Sequence, residues 1–363
     1  MLGNAALFGQ TSGQDSWTYS GKRLATPDTT TPRKCITVGK DGIYVGKMNA
    51  GATAGIGVEQ YTLAGQFVQA WAQTFTDLSG LASDSDGNVY AFDRGAAKVF
   101  IFDSAGTVIR SWGSAGSGDG QFSTAAAFMC HAIAVDDQKN VYVADWKNYR
   151  VQKFDYNGNF LLKFGTQGNL PGQFQDGPGG VVVTALGKLV AYDAPNDWNH
   201  LVLFDLNGYY GSRSSANSIG WHESSNTGYS GAVFAKGGER LLCSQVDGGL
   251  IVGAEMVSNF SAVAGTSRVF SPYTLTTTSS FTFPTAATTR GGASTPRGDV
   301  YVVRDKIVEL MERRMRFDTH VPTKAVPQPM VFHVSQAAGT QVVDIDFRVT
   351  DTDSPLVETA LVG

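Results

Sequence analysis

Five histidines are the first side chains to question for chemistry, and only His131 stands where a strand-like segment begins. His200 and His222 fall in turns or loops, while His320 and His333 belong to the C-terminal stretch. A catalytic or structural zinc takes about three protein ligands, preferably neutral imidazoles. One well-placed histidine does not make that site. His131 with Arg33 and Arg290 is therefore the candidate catalytic set, and no metal set accompanies it. The acids Asp351 and Asp353, with Asp344 and Asp346 before them, alternate beside a turn, a pattern of oxygen ligands that suits a hard cation such as Ca2+. Solvated acids on a strand face are the plainer reading of the same four residues.

Most other acids recur, and recurrence points to architecture. Asp93, Asp145 and Asp193 each follow a short apolar run, where a carboxylate satisfies turn N–H groups. Asp103, Asp155 and Asp205 each open a turn closed by Gly106, Gly158 or Gly208, with Thr62 and Gly65 as a weaker copy. These glycines follow one another at roughly 40–50 residues, the period of a four-stranded propeller blade.

The unit is clearest at 141–174. Val141-Tyr142-Val143, Arg150-Val151-Gln152-Lys153-Phe154 and Phe160-Leu161-Leu162-Lys163-Phe164 read as three strands, and Gly165, Gly168, Pro171 and Gly172 read as the loop that leaves the sheet. Second strands are expected at 42–45, 88–91, 140–143, 188–191, 240–243 and 299–302. The Ser/Thr-rich run 272–289 is expected to project as a hairpin or insertion.

The Val-Tyr-Val-Ala-Asp, Arg-Val-Gln-Lys-Phe-Asp and Phe-Gly…Gly…Gly-Gln-Phe segments of 141–174 resemble the NHL repeat family, and Trp112-Gly113 to Gln121-Phe122 repeats the last of them. The resemblance implies an all-β, six-bladed β-propeller spanning residues 1–317. It also implies a blade built from both chain ends, with Leu7-Phe8 pairing beside Ile307–Leu310, because a ring so closed exposes fewer strand edges. Some relatives of this kind are channel-mouth lyases or hydrolases, others bind RNA through a basic face.

A proline-containing linker, 318–329, precedes a final segment, 330–363, that resembles the start of an immunoglobulin- or cadherin-like sandwich of exported bacterial proteins. A whole sandwich takes about seven strands and ~100 residues. The segment has three strand patterns, including those around Val331 and Val343, so the strands are expected to be completed either by further chain or by another copy.

Composition narrows the partners. With 28 basic against 32 acidic residues and a net charge of −4, the chain lacks the clustered positive charge that nucleic acid requires. It has no long apolar run to span a membrane. The first residues have no basic region followed by an apolar one, so a signal peptide is expected to be absent or already removed. The three cysteines, Cys35, Cys130 and Cys243, fall in different blades and read as free buried thiols. Among the aromatics, Trp146 and Trp198 lie in turns between strands, where packing between blades competes with a contact role; with Phe281, Phe283, Val331 and Val343 they form the candidate binding set.

The expectation is an extracellular or cell-surface bacterial module without enzymatic activity, acting on protein partners or copies of itself. A channel-mouth lyase or hydrolase using His131, Arg33 and Arg290 is the alternative.

Overall fold

A computed structural model describes residues 16–125, 132–184, 187–193, 200–213, 244–246, 250–254, 266–270, 277–282, 289–295, 299–304, 306–314, 330–336 and 339–345. The chain divides into two units, Ser16–Arg314 and a second formed by Met1–Asp15 with Met315–Gly363.

The first unit opens with β1 (Ser16–Arg23) and continues through β2 (Arg33–Val38), β3 (Ile43–Met48), β4 (Gly55–Tyr61) and β5 (Phe67–Ala70). Next come β6 (Leu78–Ser83), β7 (Val89–Asp93), β8 (Lys98–Phe102) and β9 (Val108–Trp112), then the two-residue strands β10 (Ser114–Ala115) and β11 (Gln121–Phe122). β12 (Ile133–Val135), β13 (Val141–Asp145), β14 (Arg150–Phe154) and β15 (Phe160–Phe164) follow. After them lie β16 (Pro178–Val183), β17 (Lys188–Asp193), β18 (His200–Asp205) and β19 (Tyr210–Arg213). The unit ends with β20 (Ser244–Val246), β21 (Leu250–Ala254), β22 (Thr266–Phe270), β23 (Thr277–Thr282), β24 (Thr289–Ser294), β25 (Val300–Arg304) and β26 (Ile307–Arg314).

Five antiparallel meanders of four strands, β2–β5, β6–β9, β12–β15, β16–β19 and β20–β23, are joined by a sheet of order β1-β26-β25-β24. First strands of successive sheets lie side by side, β2 with β6, β6 with β12, β12 with β16, β16 with β20, β20 with β24 and β24 with β2. This is a β-propeller arrangement. In the last sheet β1 pairs antiparallel with β26, from Ser16 opposite Arg314 to Arg23 opposite Glu309. The neighbour of β26 is thus Ser16–Arg23, not the expected Leu7-Phe8, which lies outside the described residues. The alternating Trp17-Thr18-Tyr19 stretch suits an edge strand better than the short Leu7-Phe8 pair does.

Burial explains the strand sequences. β7 and β13 are buried at every position, so they read as continuous apolar runs. The outermost strand β15 alternates between half-buried and exposed. Phe154 shows how sheets are tied through the core: its ring lies 5.7 Å from Trp112, 5.7 Å from Phe122 and 6.0 Å from Phe160. Burying each such ring contributes about 1.5–3 kcal/mol.

The aspartate/glycine turns have one geometry. Asp103 Oδ1 accepts N–H bonds from Ala105 at 3.0 Å and Thr107 at 2.8 Å, and Asp155 and Asp205 do the same for Asn157 and Asn159 and for Asn207 and Tyr209. Gly106, Gly158 and Gly208 close them at φ of +86°, +83° and +84°, where a side chain is strained. A Cβ there would also lie 2.5 Å from Trp71, 2.7 Å from Trp112 and 2.6 Å from Phe164. The aromatic at the end of one sheet therefore packs beneath the turn of the next.

Two expectations fail in the fifth sheet. Its second strand is Leu250–Ala254, whereas 240–243 lies outside the described residues. Thr277–Thr282, expected in an insertion, is the fourth strand and pairs with β22 from Thr266 opposite Thr282 to Phe270 opposite Thr277. β-branched threonine fits a pleated strand, and composition alone masked that.

In the second unit the described strands are β27 (Met330–Gln336) and β28 (Gly339–Ile345), an antiparallel hairpin in which Val331 stands opposite Asp344 and Val343 opposite Phe332. Asp351 and Asp353 lie outside the described residues.

Candidate functional site

Arg33, one of the candidate catalytic residues, is fully committed to structure. It sits in the first strand of the first sheet with no solvent exposure, and each of its five N–H groups has an acceptor. Nε donates to Glu59 Oε2 at 2.9 Å and Nη2 to Glu59 Oε1 at 3.2 Å, a bidentate buried pair. The remaining donors reach backbone carbonyls of Thr31 at 3.1 Å, Asp28 at 2.9 Å and Lys306 at 2.6 Å. Tyr61 adds its hydroxyl to Glu59 Oε2 at 2.7 Å, and burial, then the Glu59 bond, push the phenol well above its usual range. Such a guanidinium has no donor left for a substrate.

Beside it lies a second buried network absent from the sequence-based candidates. Lys34, also without exposure, donates to Asp77 Oδ1 at 3.0 Å across the first and second sheets. Asp77 also accepts the Gly55 N–H at 3.0 Å and pairs with Arg94, whose guanidinium reaches on to the carbonyls of Thr124 and Ala125. Burial raises the Asp77 carboxyl, but the charges of Lys34 and Arg94 and the Gly55 N–H prevail and hold it below its ordinary range. One signal could have found this cluster. Arg33-Lys34 occupies strand positions that are Leu78-Ser79 in the next sheet, and charge within a buried strand demands a partner.

The recurrent acids are likewise architectural. Asp93 accepts N–H bonds from Thr76 and Asp77 at 2.8 Å each, Asp145 from Ser123 at 2.8 Å, and Asp193 from Gln175 at 2.8 Å and Asp176 at 3.2 Å. Each carboxylate at the end of a second strand holds the segment that enters the same sheet. A further pair, Asp84 and Asp136, caps the turns into the second strands and accepts the hydroxyls of Tyr90 at 2.8 Å and Tyr142 at 2.9 Å. In the first sheet Gly39 takes the place of that aspartate, and the Tyr44 hydroxyl is buried without a partner.

Trp146 is not an exposed contact residue. It is 6 % exposed, belongs to the core cluster shared by the second, third and fourth sheets, and sits in a single 3-10 turn with Lys147 Nζ 4.0 Å above its ring. Gly177 approaches so closely that a Cβ there would meet the Trp146 carbonyl oxygen at 2.0 Å. Interblade packing thus prevails over the binding reading. His131, Trp198 and Phe283 lie outside the described residues. Phe281 is in β23 and Arg290 in β24, one residue from Gly291, where the register shifts. Among the described residues no cluster of three or more His, Cys, Asp or Glu is arranged to hold a metal ion. Cys35 is a buried free thiol, pushed up to about 12 by burial.

The NHL repeat family matches residues 129–154, overlapping the stretch 141–174 where the repeat is clearest. By structure the chain is similar to a streptogramin B lyase, with a TM-score of 0.51 and 10% identity over 84% of this chain and 100% of the other. It is similar also to the WD40 repeats of RRP9, with a TM-score of 0.54 and 9% identity over 83% and 100%. No curated protein matches the chain by sequence. At these identities the likeness speaks for the fold. The repeat and the arrangement of sheets support an NHL-type β-propeller.

Proposed function

We propose that the chain is a six-bladed propeller, its last blade completed by β1, that works as a non-enzymatic extracellular scaffold. Its specific contacts are made by loops and by the C-terminal strands around Val331 and Val343, which join further domains or neighbouring copies. One observation carries this reading. The ionisable side chains drawn into the inner part of the described sheets, Arg33 foremost, are spent on ties within and between blades. What such a body offers a partner is a rigid frame with variable loops. The hairpin β27–β28 adds main-chain edges, the chemistry of strand addition.

The test is the mass of the full chain in solution by sedimentation velocity across a concentration series, with metal content measured on the same sample. Reversible association lost in Val331→Lys/Val343→Lys, at unchanged melting temperature of the propeller, is the expected result. A monomer at every concentration that carries stoichiometric metal would overturn the reading in favour of the channel-mouth enzyme.

A further inference from the structure

The strand that completes the last sheet arrives from the far end of the chain, whereas β5, β9, β15 and β19 each follow their third strand through a tight turn. Its ladder is also interrupted. Ser16 to Tyr19 stand opposite Arg314 to Met311, and pairing resumes only at Arg23 opposite Glu309, so Ser20–Lys22 form a bulge. Gly21 turns within it at φ +75°, and nothing lies within 4 Å of where its Cβ would be. Past the bulge the chain is anchored. Leu24 is buried among residues of the first and last sheets, its N–H donates to the Val308 carbonyl at 3.0 Å, and the Ala25 N–H donates to that of Gly65 at 2.9 Å.

Ahead of the bulge the hold is light. Thr18 is exposed and Tyr19 and Ser20 are half-buried; besides the ladder, the Tyr19 hydroxyl donates to Glu309 Oε1 at 2.9 Å and Ser20 Oγ to the Leu310 carbonyl at 2.8 Å. Lys22 pairs with Glu312 where both side chains are solvated, so that tie adds little. Glu309 is the buried charge at this edge. It does not depend on Tyr19, because Arg23 Nη2 lies 3.0 Å from one carboxylate oxygen and the buried Arg304 Nη1 donates to the other at 2.6 Å. Lifting Ser16–Ser20 away thus leaves no buried charge without a partner, unlike any movement of Arg33 from Glu59. What it uncovers is the main-chain edge of β26.

We propose that Ser16–Ser20 is an exchangeable arm that pivots at Gly21, and that its place on the β26 edge is taken by the same arm of a second copy. This rests on the reading that β1 completes the last blade. The second copy is the fitting occupant because its arm brings the same main-chain pairs, the same Tyr19 hydroxyl to Glu309 and the same Ser20 hydroxyl to Leu310, so exchange costs few contacts. An unrelated strand would match the backbone edge but not those two side-chain bonds. The exchange also carries the chain before Ser16, which belongs to the second unit, toward the neighbouring copy.

Thr18 and Glu312 stand opposite each other, and facing residues of an antiparallel pair lie within disulfide reach. Full-length chains carrying Thr18→Cys and Glu312→Cys, together in one chain or singly in two, therefore test the arm under mild oxidation, with the linked peptides identified by mass spectrometry. The double variant should close an internal disulfide. An equal mixture of the two single variants should give a covalent pair of chains joined through the introduced cysteines, roughly tenfold more than a mixture in which the exposed Thr29→Cys replaces Thr18→Cys. That product should persist when both chains also carry Val331→Lys/Val343→Lys, which separates the arm from association through the C-terminal strands. No internal disulfide in the double variant overturns the closure of the blade by β1 and the arm with it. An internal disulfide with no excess of the mixed product, or a mixed product lost with the C-terminal substitutions, leaves the closure standing and overturns the exchange.

Discussion

Arg33 Nη1 donates to the carbonyl oxygen of Lys306 at 2.6 Å, so a side chain of the first sheet grips the turn between the last two strands of the final sheet. The same guanidinium neutralises Glu59 within its own sheet. One residue therefore ties strands within its own sheet and that sheet to the last one.

Removing Arg33 should be costly in a specific way. Arg33→Met leaves Glu59 buried without its counter-charge, and breaking such a pair costs about 3–5 kcal/mol. Arg33→Met with Glu59→Leu removes both charges and should recover most of that loss. Denaturant midpoints of the two variants, at unchanged slope, check the prediction; equal destabilisation by both would mean that the Lys306 contact matters more than the charge.

The tyrosines of the second strands separate a satisfied hydroxyl from an orphan. Tyr90→Phe and Tyr142→Phe each remove a bond to a carboxylate and should destabilise by about 1.5 kcal/mol, whereas Tyr44→Phe should be neutral or stabilising by up to ~1 kcal/mol. Thermal unfolding of the three single variants decides it.

Close approach between first strands depends on missing side chains. At Gly80 a Cβ would lie 2.8 Å from the Ala132 nitrogen and 2.9 Å from that of Ile133, while at Gly57 nothing lies within 4 Å. Gly80→Ala should cost about 1–3 kcal/mol from overpacking, and Gly57→Ala should stay within about 0.5 kcal/mol. Parallel urea titrations of the two make the comparison.

Acid should weaken the tie between the first and second sheets. Asp77 binds its proton less readily when folded than when unfolded, so its contribution is complete above the ordinary 3.8 and is lost as pH falls through the lower folded value. The stability difference between the native chain and Asp77→Asn should thus be largest near neutrality and shrink below pH ~3. A difference that grows on acidification would contradict the assignment.

Local patterns were legible wherever chemistry is local. The turns opened by Asp103, Asp155 and Asp205 follow from a carboxylate and a glycine a few residues apart, and the apolar runs of β7 and β13 follow from burial on both faces. The fifth sheet was misread for the same reason: without that turn, nothing within its own stretch set the register, and Thr277–Thr282 passed for an insertion. Among the candidate site residues, Arg33 and Trp146 drew attention because arginine and tryptophan suit chemistry and recognition. Their partners, Glu59, Lys306 and Gly177, are remote in sequence, so their structural duty could not be read from spacing.

By itself the sequence determined the repeat, its strand-and-turn grammar and the acids that cap it, since hydrogen bonds over four or five residues need no information from elsewhere. Tertiary structure alone decided which charges are consumed. Lys34 meets Asp77, Arg33 meets Lys306 and β1 meets β26 only when sheets are laid edge to edge, and burial then obliges each charge to find its partner there.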